Sequence, residues 1–201
     1  MKLKRGEWFL ILFTLAYVLA FAVYYISIRN FEFLWYVAVL LFFFFLIALT
    51  LQKSKFDYFI LWGLALWGLF HMAGGGVKLG DGVLYGWEMI KLFDIGDTFV
   101  LKFDQFVHAF GFGVTTLVAW HLLKPYLNEK TNYKIIYPLI VAVSMGLGAL
   151  NEIVEFIAVV LFSETGVGGY YNTALDLVFN TIGAVIGAVI VHFRRRKNVN
   201  I

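Results

Sequence analysis

The sequence contains no cysteine, only two prolines and few charged residues. Without thiols the chain forms no disulfide and offers no thiolate nucleophile or zinc ligand, so His, Asp and Glu are the strong metal ligands that remain. Charged residues make up 14% of its 201 residues, whereas 62% are hydrophobic and 19% are aromatic. A soluble domain of this composition would precipitate, so the composition indicates an integral membrane protein.

Six apolar runs reach the length that spans a bilayer, which predicts a single all-α domain over residues 1–201, built as a bundle of six transmembrane helices. The basic start Met1–Arg5 and Ala20-Phe21-Ala22 also fit a signal peptide, but the first run continues far enough to span. The predicted spans are Trp8–Ile28, Phe33–Leu51, Tyr58–Ala73, Phe99–Leu123, Ile135–Phe162 and Thr173–Phe193.

The distribution of lysine and arginine predicts that both termini are cytoplasmic. In that orientation the outer segments hold only Arg29, Lys78, Lys91 and Lys102, and each inner segment is richer in bases than its neighbours, as the positive-inside rule requires. The inner segments carry 12 of the 16 bases, namely Lys2, Lys4, Arg5, Lys53, Lys55, Lys124, Lys130, Lys134 and Arg194–Lys197. The terminal basic run also resembles a nucleic-acid patch. Directly after a spanning helix it is typical of a topology anchor that attracts anionic lipid, so we expect no nucleic-acid partner.

Six ionisable residues interrupt the apolar runs of the last four spans. Each charge at bilayer depth costs roughly 2.5 to 3.5 kcal/mol, so these side chains are expected to face inward, towards one another. At about 1.5 Å per residue from the outer helix ends, all six and Asn180 fall within roughly 15 Å of the outer surface. The six are His71, Asp104, His108, Glu152, Glu155 and Asp176, whereas His121 and His192 fall at cytoplasmic helix ends and are excluded from the site.

Spacings of three and four residues keep the polar groups of each helix on one stripe with small residues. Close packing through Gly183 and Gly187 would hold the polar ends together. Asn151 and Asn180 equally fit a purely structural role, bonding across helices. The first two helices, residues 1–56, carry no such stripe and are expected to be scaffold, whereas residues 57–201 carry the site. The stripes are Asp104, His108, Gly111 and Thr115; Ser144, Gly148, Asn151 or Glu152, and Glu155; and Thr173, Asp176, Asn180, Gly183 and Gly187.

The longest connection, residues 74–98, lies outside in this topology. Two short apolar runs flank Gly80-Asp81-Gly82, which predicts a small β-hairpin, with Trp87–Phe93 at the membrane interface behind it. The hairpin would serve as a lid over the site. An irregular glycine-rich connector fits the same residues.

The motif series resembles those of two membrane-protein families. Asp104-x-x-x-His108, Glu152-x-x-Glu155 and Asp176-x-x-x-Asn180-x-x-Gly183 are similar to the motifs of VanZ-like proteins. The Glu-x-x-Glu form, preceded by His71 and a glycine cluster, more closely resembles the uncharacterised YjdF-like family of the bacterial inner membrane. VanZ-like chains typically have glutamine at the place of Glu155 and an arginine before the aspartate, so glycopeptide resistance is not carried over. The resemblance implies a bundle with a membrane-embedded polar centre and no established activity.

The charge balance favours a site that takes up a positive partner, because four acids face at most two imidazoles. One hypothesis is a metal-dependent hydrolase or transferase acting on a lipid or envelope precursor. Its zinc, manganese or iron would be held by His71, Asp104, His108 and Asp176. Glu152 or Glu155 would act as general base, and Asn151 or Asn180 would orient the substrate.

Two other functions remain open at this point. The acids would also suit a proton- or cation-coupled carrier or small-molecule permease, in which they protonate in turn. A carrier needs polar residues that continue into the cytoplasmic half, and below Thr115 and Ser144 the chain offers little beyond glycine. In an accessory protein the same groups would only clamp the helices together.

The predicted orientation is tested with reporter fusions. We expect a fluorescent protein joined to Ile201 to fluoresce, because it folds on the cytoplasmic side, and alkaline phosphatase joined after Asp81 to be active, because it folds outside. The reverse pattern would contradict the orientation.

Overall fold

A computed structural model describes residues 3–90 and 101–199, and helices dominate this part of the chain. Six of these helices are long and apolar enough to cross a membrane, which confirms the predicted fold class. At about 1.5 Å per residue even the shortest reaches roughly 28 Å, close to the ~30 Å thickness of a bilayer core. The helices are α1 (Arg5–Ser27), α2 (Phe31–Ser54), α3 (Tyr58–Gly76), α4 (Phe103–Leu123), α5 (Tyr133–Leu161) and α6 (Tyr170–Val199).

Short polar turns separate the first three helices. The Asn30 side chain accepts a hydrogen bond from the backbone N–H of Phe33 at 3.0 Å and caps α2. Asp57 caps α3 in the same way through Ile60 at 2.9 Å. Between them Lys55 adopts a left-handed conformation with φ of 50° at the end of α2. These caps satisfy backbone donors that the helix starts leave without partners, so each helix begins at a defined residue.

The chain divides into two compact units, the first comprising Met1–Asp104 with Phe156–Val167. In this unit α1 packs against α2 and α3 through aromatic rings. The Tyr25 ring stacks on Phe33 with centroids 4.9 Å apart, and its hydroxyl donates to the carbonyl of Met72. Gly75 of α3 is needed at its position because a Cβ there would overlap the Phe33 ring.

In the described part of the connection after α3 there are four short strands. Strands β1 (Lys78–Leu79) and β2 (Gly82–Val83) form an antiparallel hairpin around Gly80, whose φ of +58° suits glycine. The predicted hairpin is therefore present, although the structure does not test its role as a lid. Strand β3 (Glu88–Ile90) pairs with β4 (Leu101–Lys102), so part of the predicted interfacial segment is a strand. Residues 91–100, which include the rest of that segment and the predicted start of the fourth span, lie outside the described residues.

The second unit comprises Gln105–Glu155 and Gly168–Ile201, so it contains most of α4, α5 and α6. Glycines bring the backbones of α4 and α6 into contact. A Cβ at Gly183 would overlap the carbonyl of Ala109, and a Cβ at Gly113 would lie 3.2 Å from the carbonyl oxygen of Gly183. Gly187 faces Gly113 and Thr116 in the same way. We call this contact the glycine seam, and its close approach is typical of small residues between membrane helices.

Replacing Gly183 with alanine is expected to destabilise the protein by about 1 to 3 kcal/mol, because the added methyl group meets a backbone carbonyl. Gly146 of α5 is the matched control, since a Cβ there meets nothing within 4 Å. We therefore expect Gly146→Ala to leave the midpoint of thermal unfolding in detergent unchanged or higher, as helix propensity favours alanine. Equal midpoints of thermal unfolding for Gly183→Ala and Gly146→Ala would contradict the close contact of α4 and α6 at the glycine seam.

Candidate polar site

His108 of α4 lies at the centre of a cluster of polar side chains in the second unit. Its side chain is buried, and its Nδ1 lies 2.9 Å from the Oδ1 of Asn180. Three carboxylates surround the same imidazole. Nδ1 is 3.6 Å from the Oε1 of Glu152, and Nε2 is 3.9 Å from both the Oε1 of Glu155 and the Oδ1 of Asp176. Helices α4, α5 and α6 thus each contribute to the cluster.

The hydrogen bonds of Asn180 assign the tautomer of His108. The amide nitrogen of Asn180 donates to the Oε1 of Glu152 at 3.4 Å, so its amide oxygen faces the imidazole. Because that oxygen only accepts, the Nδ1 of His108 carries the proton and donates it. The lone pair of a neutral His108 is therefore on Nε2, which faces Glu155 and Asp176.

Asp176 of α6 is fully buried and held by two amides. Its Oδ1 accepts from the Nε2 of Gln105 at 3.2 Å, and its Oδ2 accepts from the Nδ2 of Asn172 at 2.6 Å. Such bonds replace part of the hydration that a buried carboxylate loses. Asp176 is consequently fixed beside His108 by the amides of two other side chains.

The two glutamates of α5 differ in their partners. Glu155 accepts from the Nδ2 of Asn151 at 2.8 Å, one turn earlier on the same helix. Glu152 accepts from Asn180 of α6 and is the more buried of the two. Gly148 lies against Asn180, since a Cβ at this glycine would lie 3.1 Å from the Cβ of Asn180. This close approach brings α5 near enough to α6 for Glu152 to reach the amide.

The cluster carries an excess of negative charge. Three carboxylates face one imidazole, and residues 105–123, 135–162 and 170–193 contain no lysine or arginine. Burying a carboxylate incurs a desolvation penalty that amide hydrogen bonds offset only in part. A cluster of this composition therefore suits a proton or a cation as a further partner.

The arrangement fits a metal ion. One ligand atom from each of His108, Glu152 and Glu155 lies within 4.8 Å of the others. Atoms that ligate one ion at about 2.0 to 2.2 Å are at most about 4.4 Å apart. Because Nδ1 donates to Asn180, the nitrogen available to an ion is Nε2, and it lies 3.9 Å from both the Oε1 of Glu155 and the Oδ1 of Asp176, inside that limit. The imidazole and these carboxylates are therefore close enough to share one ion.

The structure brings together most of the residues singled out in the sequence: His108, Asn151, Glu152, Glu155, Asp176 and Asn180. His71 and Asp104 belong to the first unit. His71 is bonded to the hydroxyl of Tyr85 through Nδ1, and its ring packs edge-on against Tyr36. Asp104 lies in the first turn of α4, one turn before His108.

Sequence reasoning missed three polar residues. Gln105 and Asn172 both donate hydrogen bonds to Asp176. Gln105 lies three residues before His108 and Asn172 lies four residues before Asp176, and these spacings place each amide on the polar face of its helix. Glu32 is buried in the first turn of α2, where it accepts from the backbone N–H of Gly166 at 2.6 Å and the Tyr36 hydroxyl at 3.2 Å. An acid in a first turn usually only complements the helix dipole, so its sequence position gave no sign of these contacts.

Comparison with known proteins agrees with this architecture. Residues 9–197 match the model of a family described as "Predicted membrane protein (DUF2238)", which is the YjdF-like family indicated by the motifs. No curated protein and no solved structure matches the chain. Because the family match extends over nearly all of the sequence, the chain belongs to the DUF2238 family of membrane proteins.

Proposed function

We propose that the protein is a metal-dependent hydrolase or transferase that acts on a lipid or envelope precursor at the cell membrane. The setting of His108 carries this proposal. Asn180 holds the Nδ1 proton, and Nε2 is presented towards two carboxylates, those of Glu155 and Asp176. Metal-binding histidines are oriented by the same kind of hydrogen bond at their second nitrogen.

The proposed ligands are His108 and Asp176, with Asp104 as a third candidate because one helical turn places it on the same face of α4 as His108. Imidazole and carboxylate ligands suit zinc, manganese or iron. His71 is bonded to Tyr85 and is not needed for this set. A bound ion would supply a Lewis acid and an activated water.

The other residues of the cluster have roles that follow from their contacts. Glu155 faces the same imidazole nitrogen as Asp176, which makes it the better candidate for the general base, and Asn151 holds its carboxylate in place. Both ends of the Asn180 amide are engaged, one with His108 and one with Glu152. Asn180 is therefore a positioning residue for His108 rather than a group that binds substrate.

The substrate class follows from the location of the cluster. The site lies within spanning helices, and the basic residues favour an orientation with both termini in the cytoplasm. In that orientation the cluster lies in the outer half of the membrane, at the level of the leaflet that contains lipids and lipid-linked envelope precursors. The distant VanZ-like resemblance of the motifs is compatible with such a role and adds no activity.

The described residues of the second unit offer a carrier no continuous polar path beyond the cluster. Beyond the cluster, the hydroxyls of Thr115 and Thr116 donate to carbonyls of their own helix, and Ser144 donates to the carbonyl of Phe112. The glycine seam then brings backbone against backbone. A proton or ion crossing this region would meet close-packed helices, so we prefer the enzyme.

Elemental analysis tests the metal directly. We expect about one zinc, manganese or iron ion per chain in the purified parent protein and none in His108→Ala. Asn180→Ala keeps every ligand but loses the bond that orients His108, so we expect its affinity for the metal to be about 10- to 100-fold lower than that of the parent. His121→Ala is the matched control and is expected to retain the metal, since His121 lies at the far end of α4.

Two results would contradict this mechanism. A metal-free parent protein would exclude it, and equal metal content in the parent and in His108→Ala would exclude the assigned ligands. Asn180→Ala keeps the test informative where His108→Ala does not fold.

Flux measurements separate the enzyme from the carrier. We expect proteoliposomes to take up protons no faster than empty vesicles under an imposed pH gradient, because the seam offers no polar path. A protein-dependent proton flux that Glu155→Gln abolishes would favour the carrier and count against the hydrolase. Tyr126→Phe, at an exposed residue beyond the end of α4, is the control substitution.

A further inference from the structure

A second polar assembly lies at the end of the second unit opposite the His108 cluster, where α5 begins and α6 ends. The guanidinium carbon of Arg195 lies 3.9 Å from the centroid of the Tyr133 ring, in cation–π contact. The Nε of Arg195 donates to the hydroxyl of Tyr137 at 3.2 Å. Two contacts from α5 thus fix this α6 side chain.

Neighbouring rings support the same arrangement. The Nδ1 of His192 lies 3.2 Å from the Tyr137 hydroxyl, and the rings of Tyr133 and Tyr137 have centroids 6.2 Å apart. Trp120 of α4 lies 6.3 Å from Tyr133. All three helices of the unit contribute, so Arg195 is held more rigidly than an exposed arginine, whose long side chain samples many rotamers.

The bonding capacity of Arg195 is only partly used. Guanidinium carries five N–H donors, and the bond to Tyr137 uses the one on Nε. Among the described residues no acceptor contacts the two terminal nitrogens of Arg195, and no acid forms an ion pair with it. Those nitrogens form a planar fork that matches two oxygens of a phosphate.

The surrounding charge strongly favours an anion. Residues 177–201 contain no acid, and residues 122–151 contain only Glu129. The same two segments contain seven bases: Lys124, Lys130, Lys134, Arg194, Arg195, Arg196 and Lys197. This excess produces a positive potential at one end of the unit, where helices of spanning length reach the lipid headgroups.

Apolar side chains beside this end favour a lipid over a free anion. Ile135 and Leu139 of α5 and Phe193 of α6 are all more than half exposed, as expected for residues in contact with acyl chains. Tyrosine and tryptophan at this level are typical of the membrane interface. A ligand that combines a phosphate with acyl chains would contact both surfaces.

We propose that Arg195, held by Tyr133 and Tyr137, binds the headgroup phosphate of an anionic phospholipid. The terminal nitrogens of Arg195 donate to two phosphate oxygens, and the neighbouring bases select a net negative headgroup over a zwitterionic one. The site is independent of the metal chemistry proposed for the His108 cluster, which shares none of these residues.

Native mass spectrometry of the full chain in neutral detergent tests the site with phosphatidylglycerol and phosphatidylcholine as probes. We expect the first phosphatidylglycerol to bind about tenfold more tightly than phosphatidylcholine, and Arg195→Gln to remove this preference. Arg196→Gln is the matched control because it removes the same charge from an exposed neighbour, and we expect less than a twofold effect. Arg195→Lys keeps the charge but not the fork, so its affinity should lie between those of the parent and Arg195→Gln.

Three outcomes would overturn the proposal. Equal affinity for the two lipids would exclude headgroup selection, and equal losses in Arg195→Gln and Arg196→Gln would show only diffuse attraction by the basic segment. Displacement of phosphatidylglycerol by inorganic phosphate at comparable concentration would identify a site for a free anion. Where Arg195→Gln does not fold, Tyr137→Phe removes a single hydroxyl and is expected to weaken phosphatidylglycerol binding about threefold, whereas an unchanged affinity would count against the site.

Discussion

The second unit depends on one constraint, which is that charge in an apolar medium must be compensated within the protein. The carboxylate of Asp176 is compensated by hydrogen bonds from Gln105 and Asn172 and by the nearby imidazole of His108. The carboxylate of Glu152 accepts a hydrogen bond from Asn180. Residues 105–123, 135–162 and 170–193 of the surrounding helices contain no lysine or arginine. Amides therefore orient the carboxylates, and the cluster has the composition to hold a metal ion.

Helix packing and polar chemistry support each other in this unit. The glycine seam holds α4 against α6, where His108 bonds to Asn180, and Gly148 lets α5 approach Asn180, where Glu152 accepts from the same amide. The same helix connects the two ends of the unit. Asp176 and Arg195 are 19 residues apart on α6, or about 28 Å, which is close to the thickness of a bilayer core. Acid at one end and base at the other suit a helix that spans with a fixed orientation.

Much of this architecture was predictable because the physical signals in the sequence are strong. Long apolar runs specify the spans, and the spacing of Asp176, Asn180 and Gly183 places them along one side of α6. The amides of Gln105 and Asn172 were missed because burying a neutral amide in a membrane helix costs less free energy than burying a charge, so an amide is a weaker sign of a polar site. Glu32 was missed for a different reason: its partner Gly166 is 134 residues away, and no local pattern encodes such a contact. The division into two units, with His71 and Asp104 in the first, is likewise a property of tertiary packing that spacing does not reveal.

The central claim is that α5 and α6 meet at the cluster through Gly148 and Asn180, and the absence of cysteine from the chain allows a direct test. A Cβ at residue 148 would lie 3.1 Å from the Cβ of Asn180, near the range that a disulfide spans, whereas the adjacent Ala149 is exposed. Oxidation of the double variant Gly148→Cys with Asn180→Cys should give an intramolecular disulfide in native membranes, detected by proteolysis between α5 and α6. The pair Ala149→Cys with Asn180→Cys should give none. Equal cross-linking of the two pairs would contradict the contact between α5 and α6 at Gly148 and Asn180. The absence of a disulfide in the Gly148→Cys and Asn180→Cys variant would contradict it as well.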